Sequence, residues 1–354
     1  MRSHESHGSL SHGSHGHTRT LLWLTFLSIV AAGATAALVQ ARSTPPDVDV
    51  KIDEWMTPSK PPYPHDPAVA PDGAVWYTGQ RANVVGRFDP KTELFKEWSL
   101  PTQNSGPHGL TFDKNGHCWY TGNAAGLIGE IDPRTDHIRE YKMPDPNARD
   151  PHTPIFDRRG ILWFTVQAGN FVGTLDPATA EVKLASPPTA NARPYGIQLN
   201  SKGVPFFDEF NSNKIGSIDP ATMKIAEYPL PDAAARPRRI AIAADDTVYY
   251  TDYGRGYLGH LDPKTGKVDE YASPGGPKSR PYAVAVTSDA AVWYAETGDD
   301  AHNMLVRFVP STKKMQAWPI PSGGGTIRNM DVAKGDVLWL AESGVGKIAR
   351  VTWK

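Results

Sequence analysis

Residues 107–144 read PHGLTFDKNGHCWYTGNAAGLIGEIDPRTDHIREYKMP. Four short runs, GLTF, HCWYTG, LIGEID and IREYKM, alternate with the breaks Asp-Lys-Asn-Gly, Asn-Ala-Ala-Gly and Asp-Pro-Arg-Thr-Asp. The runs are rich in β-branched and aromatic residues at period two, as pleated strands require. The breaks are turn chemistry: Gly and Asn tolerate positive φ, and Pro presets φ at the second position of a turn. The stretches at 64–101 and 151–188 repeat the pattern, and fainter copies begin at Pro194, Pro237, Pro281 and Ile327. The mid-unit aromatic falls at Trp76, Trp119, Trp163, Phe206, Tyr249, Trp293 and Trp339. Seven units of this length are the mark of a β-propeller, with a helical solenoid as the main competitor. No long helical period follows residue 42, so the expected fold is all-β: a seven-bladed β-propeller with four-stranded blades.

The units also predict how the ring closes. Six of them end in a segment resembling Glu-Tyr-x-x-Pro, such as EYKMP and EYPLP, but none follows Trp339. The missing segment stands at the other end, VKIDEWMTP over 50–58. The N-terminal strand is therefore expected to complete the last blade as its outer strand, pairing an otherwise open edge. The propeller is assigned to 50–354, after a linker at 43–49.

Residues 1–42 have a different character. Five histidines among Ser and Gly precede Leu21–Val39, a stretch of 19 residues without charge. Small residues follow in signal-cleavage spacing at Ala34-Thr35-Ala36 and Val39-Gln40-Ala41. An export signal is the reading, and an uncleaved membrane anchor its alternative. Either places the propeller in the periplasm or outside the cell, touching a membrane only through this segment. The histidine-rich leader reads as unstructured chain.

Composition narrows the chemistry. Lys plus Arg is 37 and Asp plus Glu is 38, a balance that argues against nucleic acid as a partner. The one cysteine, Cys118, excludes an internal disulfide, a four-cysteine zinc site and a Cys-x-x-Cys-His haem attachment. No glycine-rich phosphate loop points to a nucleotide, and no Gly-x-Ser-x-Gly elbow points to a serine nucleophile. A closed propeller needs no partner for stability, so a monomer is expected.

Ligands bind propellers at the mouth of the central channel. Eleven residues before the mid-unit aromatic, the units read His65, His108, His152, Tyr195, Arg238, Tyr282 and Arg328. Three residues after it, they read Gly79, Gly122, Val166, Glu209, Asp252, Glu296 and Glu342. Small or apolar residues accompany the histidines, and acids accompany Tyr and Arg. The two series are expected to meet within each blade. Arg238 with Asp252 and Arg328 with Glu342 would be ion pairs; Tyr195 with Glu209 and Tyr282 with Glu296 would be hydrogen bonds. His65, His108 and His152 remain as candidate catalytic groups. They would serve as zinc ligands if they converge, as a general base, or as partners of channel water. Tyr195, Arg238, Tyr282 and Arg328 are the candidate substrate-binding residues. Glu209, Asp252, Glu296 and Glu342 are the candidate metal ligands.

Units such as WYTGNAAGLIGEIDPRTDHIREYKMP and FFDEFNSNKIGSIDPATMKIAEYPLP resemble the blades of streptogramin B (virginiamycin B) lyases over residues 50–354. The resemblance implies a carbon–oxygen lyase that opens a cyclic ester by elimination, with a histidine base and magnesium held by glutamates. The family's Glu-Pro-His in the last blade corresponds here to Thr326-Ile327-Arg328, and its substrate-contacting histidine to Tyr282. Only Glu342 nearly matches a metal-ligand glutamate. An arginine cannot serve as a base at neutral pH. Three functions therefore stand as expectations: a lyase acting on a cyclic ester or lactone, a non-catalytic ligand-binding or sensor propeller, and a metal-dependent lactonase-like hydrolase. A small molecule or cyclic peptide or ester is the ligand class.

Overall fold

The computed structural model describes residues 48–299 and 302–354. The leader, its export signal or anchor and most of the linker lie outside the described residues. Seven four-stranded antiparallel sheets follow one another along the chain. The first strand of each touches the first strands of its neighbours, and the seventh touches the first, which closes the ring. The only helical element among the described residues is a 3-10 turn, Gly276–Lys278. No described helix is long and apolar enough to cross a membrane. Val50–Met56 pairs with Lys347–Trp353 from Val50↔Trp353 to Met56↔Lys347, so the N-terminal strand is the outer strand of the last blade, as expected.

The aromatic repeat is a packing device. The seven mid-unit aromatics are all buried. The next residue faces the other side of its sheet, and in five blades it lies opposite a glycine of the third strand. These pairs are Tyr77↔Gly86, Tyr120↔Gly129, Phe164↔Gly173, Phe207↔Gly216 and Tyr250↔Gly259. Each ring lies over its glycine so closely that a Cβ there would stand 1.9–2.7 Å from it. In the last blade Leu340 replaces the aromatic and Ala349 replaces the glycine. Side chains from neighbouring blades fill the space between sheets: Trp293 and Leu305 share one cluster with Ile327, Leu338 and Val351.

Each inner strand shifts register after its first residue, between Pro64 and Pro67 in blade one and at the matching place in all the others. An irregularity of this kind re-aims side chains. Second-strand threonines fasten it. Thr78 accepts from the amide of Asp66 and donates to the carbonyl of His108 in the next blade. Thr121, Thr165 and Thr251 do the same for the carbonyls of His152, Tyr195 and Tyr282. Asp208 takes this place in blade four.

Candidate functional site

The residues in the register shift line the hub. The rings of His65, His108, His152 and Tyr195, on four successive blades, pack with centroids 3.7 Å apart and planes tilted by 47–48°. Tyr195 reaches across the hub, and its hydroxyl meets that of Tyr282. All five rings are buried. The residues one position further on form a second layer. Arg239 donates to both oxygens of Asp66, at 3.0 and 2.9 Å, to Thr153 Oγ1 at 2.9 Å and to the carbonyl of Arg328 at 3.1 Å. Asn329 donates to Asp66 from the other side, and His65 Nδ1 lies 2.8 Å from the same carboxylate. This layer ties blade one to blades three, five and seven.

The two arginines of the hub series, Arg238 and Arg328, stand among aromatic rings. The Arg238 guanidinium lies 3.9 Å from the centroid of Tyr282, 4.2 Å from Tyr253 and 4.7 Å from Phe210. Arg328 donates to the Tyr63 hydroxyl at 2.7 Å, and Arg81 covers the Tyr63 ring at 3.8 Å. The Nε atoms of both Arg238 and Arg328 are buried without a partner. Among the described residues neither guanidinium has a carboxylate partner.

The expected blade pairs do not form. Glu209, Asp252, Glu296 and Glu342 lie opposite Pro194, Pro237, Pro281 and Ile327, one residue before the hub position. Neighbouring residues on a strand face opposite ways, so a one-residue offset turns the acids away from the hub. Asp252 pairs instead with Arg255 at 2.6 Å. Glu296 accepts from Ser273 and the amide of Gly275. Glu209 accepts from Ser212, and Glu342 from Ser322. Each acid is thus held by the turn after its own strand or by the connection entering its blade.

Burial and neighbouring charge set the protonation states. Burial first, then the guanidiniums of Arg328, Arg239 and Arg238, push His65 well below the ordinary histidine range. Burial does the same to His108 and His152, with smaller contributions from the neighbouring imidazoles and Arg239. The imidazoles are neutral. Burial raises Asp208 well above the carboxylate range, keeping it protonated. Burial likewise lifts Glu342 to about 8 and Glu209 to about 7. Tyr282 goes the other way: burial raises it, and the charges of Arg238, Arg239 and Arg328 more than offset that.

Two groups of described residues bring three possible metal-binding atoms within 4.8 Å of one another: His65, Asp66 and His108 at the hub, and Asp113, His117 and Glu130 on blade two. His152 and the four second-strand acids are in neither. A cation at the hub would have to displace Arg239 from Asp66, against two further guanidiniums. Glu342 is protonated at neutral pH and the matching partner position holds Thr326. These residues therefore fit neither the zinc nor the magnesium expectation.

A third series of residues extends the mouth. Two positions before the hub residues stand Tyr63, Gly106, Asp150, Arg193, Arg236, Arg280 and Thr326. Burial lifts half-buried Asp150 to about 7. Arg280 lies 5.6 Å from the Tyr253 centroid. The same counting that produced the hub series, shifted by two, would have found this basic arc over blades four to six.

The fold and mouth define a closed seven-bladed propeller whose channel ends in arginines and aromatic rings. The chain belongs to the virginiamycin B lyase family, whose model matches residues 40–182 and 157–304. Virginiamycin B lyase from Staphylococcus aureus is similar in structure, with 26% identity and a TM-score of 0.78 over 86% of this chain and 99% of that one. A catalytically inactive variant of that lyase with quinupristin gives the same values. Hydrazine synthase from Kuenenia stuttgartiensis, at 13% identity and a TM-score of 0.68 over 85% of this chain and 97% of that one, shares the fold alone. No curated protein matches.

Proposed function

We propose that this member of the virginiamycin B lyase family is an exported ligand-binding propeller that takes an oxyanionic small molecule at its channel mouth. One observation carries the reading: Arg238 and Arg328 stand half-buried at the mouth with no carboxylate among the described residues to answer them. Three guanidiniums crowd the hub, and Asp66, the carboxylate beside them, is held by Arg239. Asp208 is protonated and the imidazoles are neutral. Arginine's planar fork matches carboxylate and phosphate oxygens, and its charge is worth most where water is partly excluded. The aromatic faces hold Arg238 in place, so little side-chain freedom remains to be lost on binding. Calorimetric titration of the full chain with small carboxylates tests the reading. Binding that weakens with salt and with Arg238→Gln is expected; no binding by any anion overturns it.

The likeness to the lyase with quinupristin favours a second reading, elimination across a cyclic ester. A base would take the proton α to the carbonyl, the carbon–oxygen bond would break, and the released carboxylate would face Arg238 and Arg328. His65, His108 and His152 would have to supply the base, because Arg328 cannot. Their burial in a packed ring stack limits contact with a large substrate. Virginiamycin B incubated with the protein should stay intact, and ring opening would move the assignment to the enzyme.

A further inference from the structure

We infer that the ligand is a small dicarboxylate whose two acid groups are held at two separate arginine stations, one on each side of Tyr282. The inference rests on the anion-binding reading above and adds the number and separation of the charges. Arg238 is the second residue of the inner strand of blade five and Arg328 lies at the matching place in blade seven. Tyr282 holds the matching place in blade six, between them in blade order, and the Arg238 guanidinium lies 3.9 Å from its ring centroid. Each arginine has its own aromatic support and its own accessory arginine. Arg238 is framed by Phe210 and Tyr253, with Arg280 over the Tyr253 ring. Arg328 is framed by Tyr63, with Arg81 over that ring. Each also keeps a buried Nε that none of the described residues satisfies.

Charge counting gives the same answer. Of the three hub guanidiniums, Asp66 answers one, so Arg238 and Arg328 are the two left without a carboxylate among the described residues. A single carboxylate would answer one and leave the other half-desolvated and unpaired, which is costly. A dianion with separated ends answers both. A compact oxyanion such as inorganic phosphate carries comparable charge, but its oxygens share one centre and serve one station at a time.

The experiment compares acetate, succinate and inorganic phosphate by calorimetric titration of the full chain at one ionic strength. Succinate should bind at least about tenfold more tightly than acetate or phosphate, a gain of about 1.4 kcal/mol. In Arg238→Gln and in Arg328→Gln the succinate advantage should fall to within about threefold, while acetate weakens less. Equal affinities for acetate and succinate overturn the two-station inference and leave the anion-binding reading standing. Phosphate binding more tightly than succinate also overturns it, in favour of one oxyanion centre. If none of the three binds, both fall. The wild-type comparison decides the matter even if a variant does not fold.

Discussion

Asp66 and Arg239 are 173 residues apart in sequence and meet at the hub, where one guanidinium nitrogen reaches both carboxylate oxygens at 3.0 and 2.9 Å. The pair joins blade one to blade five and is sealed from solvent. Its surroundings satisfy most of what remains: Thr153, the Arg328 carbonyl, Asn329 and His65 complete the shell. Removing one partner leaves a buried charge unanswered, which costs about 3–5 kcal/mol in such pairs. Asp66→Asn should therefore lower the urea midpoint strongly. Asp66→Asn with Arg239→Met should recover part of the loss. A change below about 1 kcal/mol in the single variant would show that water screens the pair.

The aromatic–glycine ladder makes a sharper claim about packing. A Cβ at Gly129 would lie 2.0 Å from the Tyr120 ring, whereas one at Gly116 would meet nothing within 4 Å. Gly129→Val should destabilise by about 1–3 kcal/mol or more through overpacking. Gly116 has φ of 82°, so Gly116→Ala should cost about 1 kcal/mol from backbone strain alone. Thermal melts of the two variants separate the causes. Equal losses would mean that the ring moves aside freely.

Much of this fold is legible in the repeat because every blade solves the same packing problem with the same residue types. The Trp119 position and the turn before it report backbone constraints repeated from blade to blade, and the displaced Val50–Met56 strand reports the single outer strand that closes the ring. The hub positions were legible as a set, since His65 to Arg328 do line the channel. Their partners were not. Counting along the chain places Tyr195 beside Glu209, but the register shift and the alternation of faces separate them. What surrounds Arg238 comes from blades four, five and six together, and no spacing within one unit encodes that. Asp208 shows the same limit: its sequence place reads as an acid, while its structural place is that of a threonine.

Glu342 should leave a mark on the pH dependence of stability. Burial, then the neighbouring Glu54 carboxylate, lifts it from 4.5 to about 8. A group raised in the folded state holds its proton there after the unfolded chain has released it. Its contribution is present below pH 4.5 and is lost as pH rises through about 8. Stability should therefore decline across that window. Glu342→Gln, which cannot ionise, should flatten the decline and hold the midpoint higher at alkaline pH. An unchanged slope in the variant would show that Glu342 is already ionised in the fold.

Tyr282 offers a direct view of the positive potential at the mouth. Burial alone would raise its phenol, yet Arg238, Arg239 and Arg328 bring it below the ordinary tyrosine value of 10. Tyr195, which touches the same hydroxyl, is raised, mainly by burial. Alkaline titration followed by tyrosinate absorbance should show one early ionisation, absent in Tyr282→Phe. Arg238→Gln removes the closest guanidinium and should move that ionisation upward. A bound dicarboxylate should do likewise, because it cancels the same charge from outside. If the early step survives Tyr282→Phe, the field is centred on another ring, and the placement of the two stations around Tyr282 loses its support.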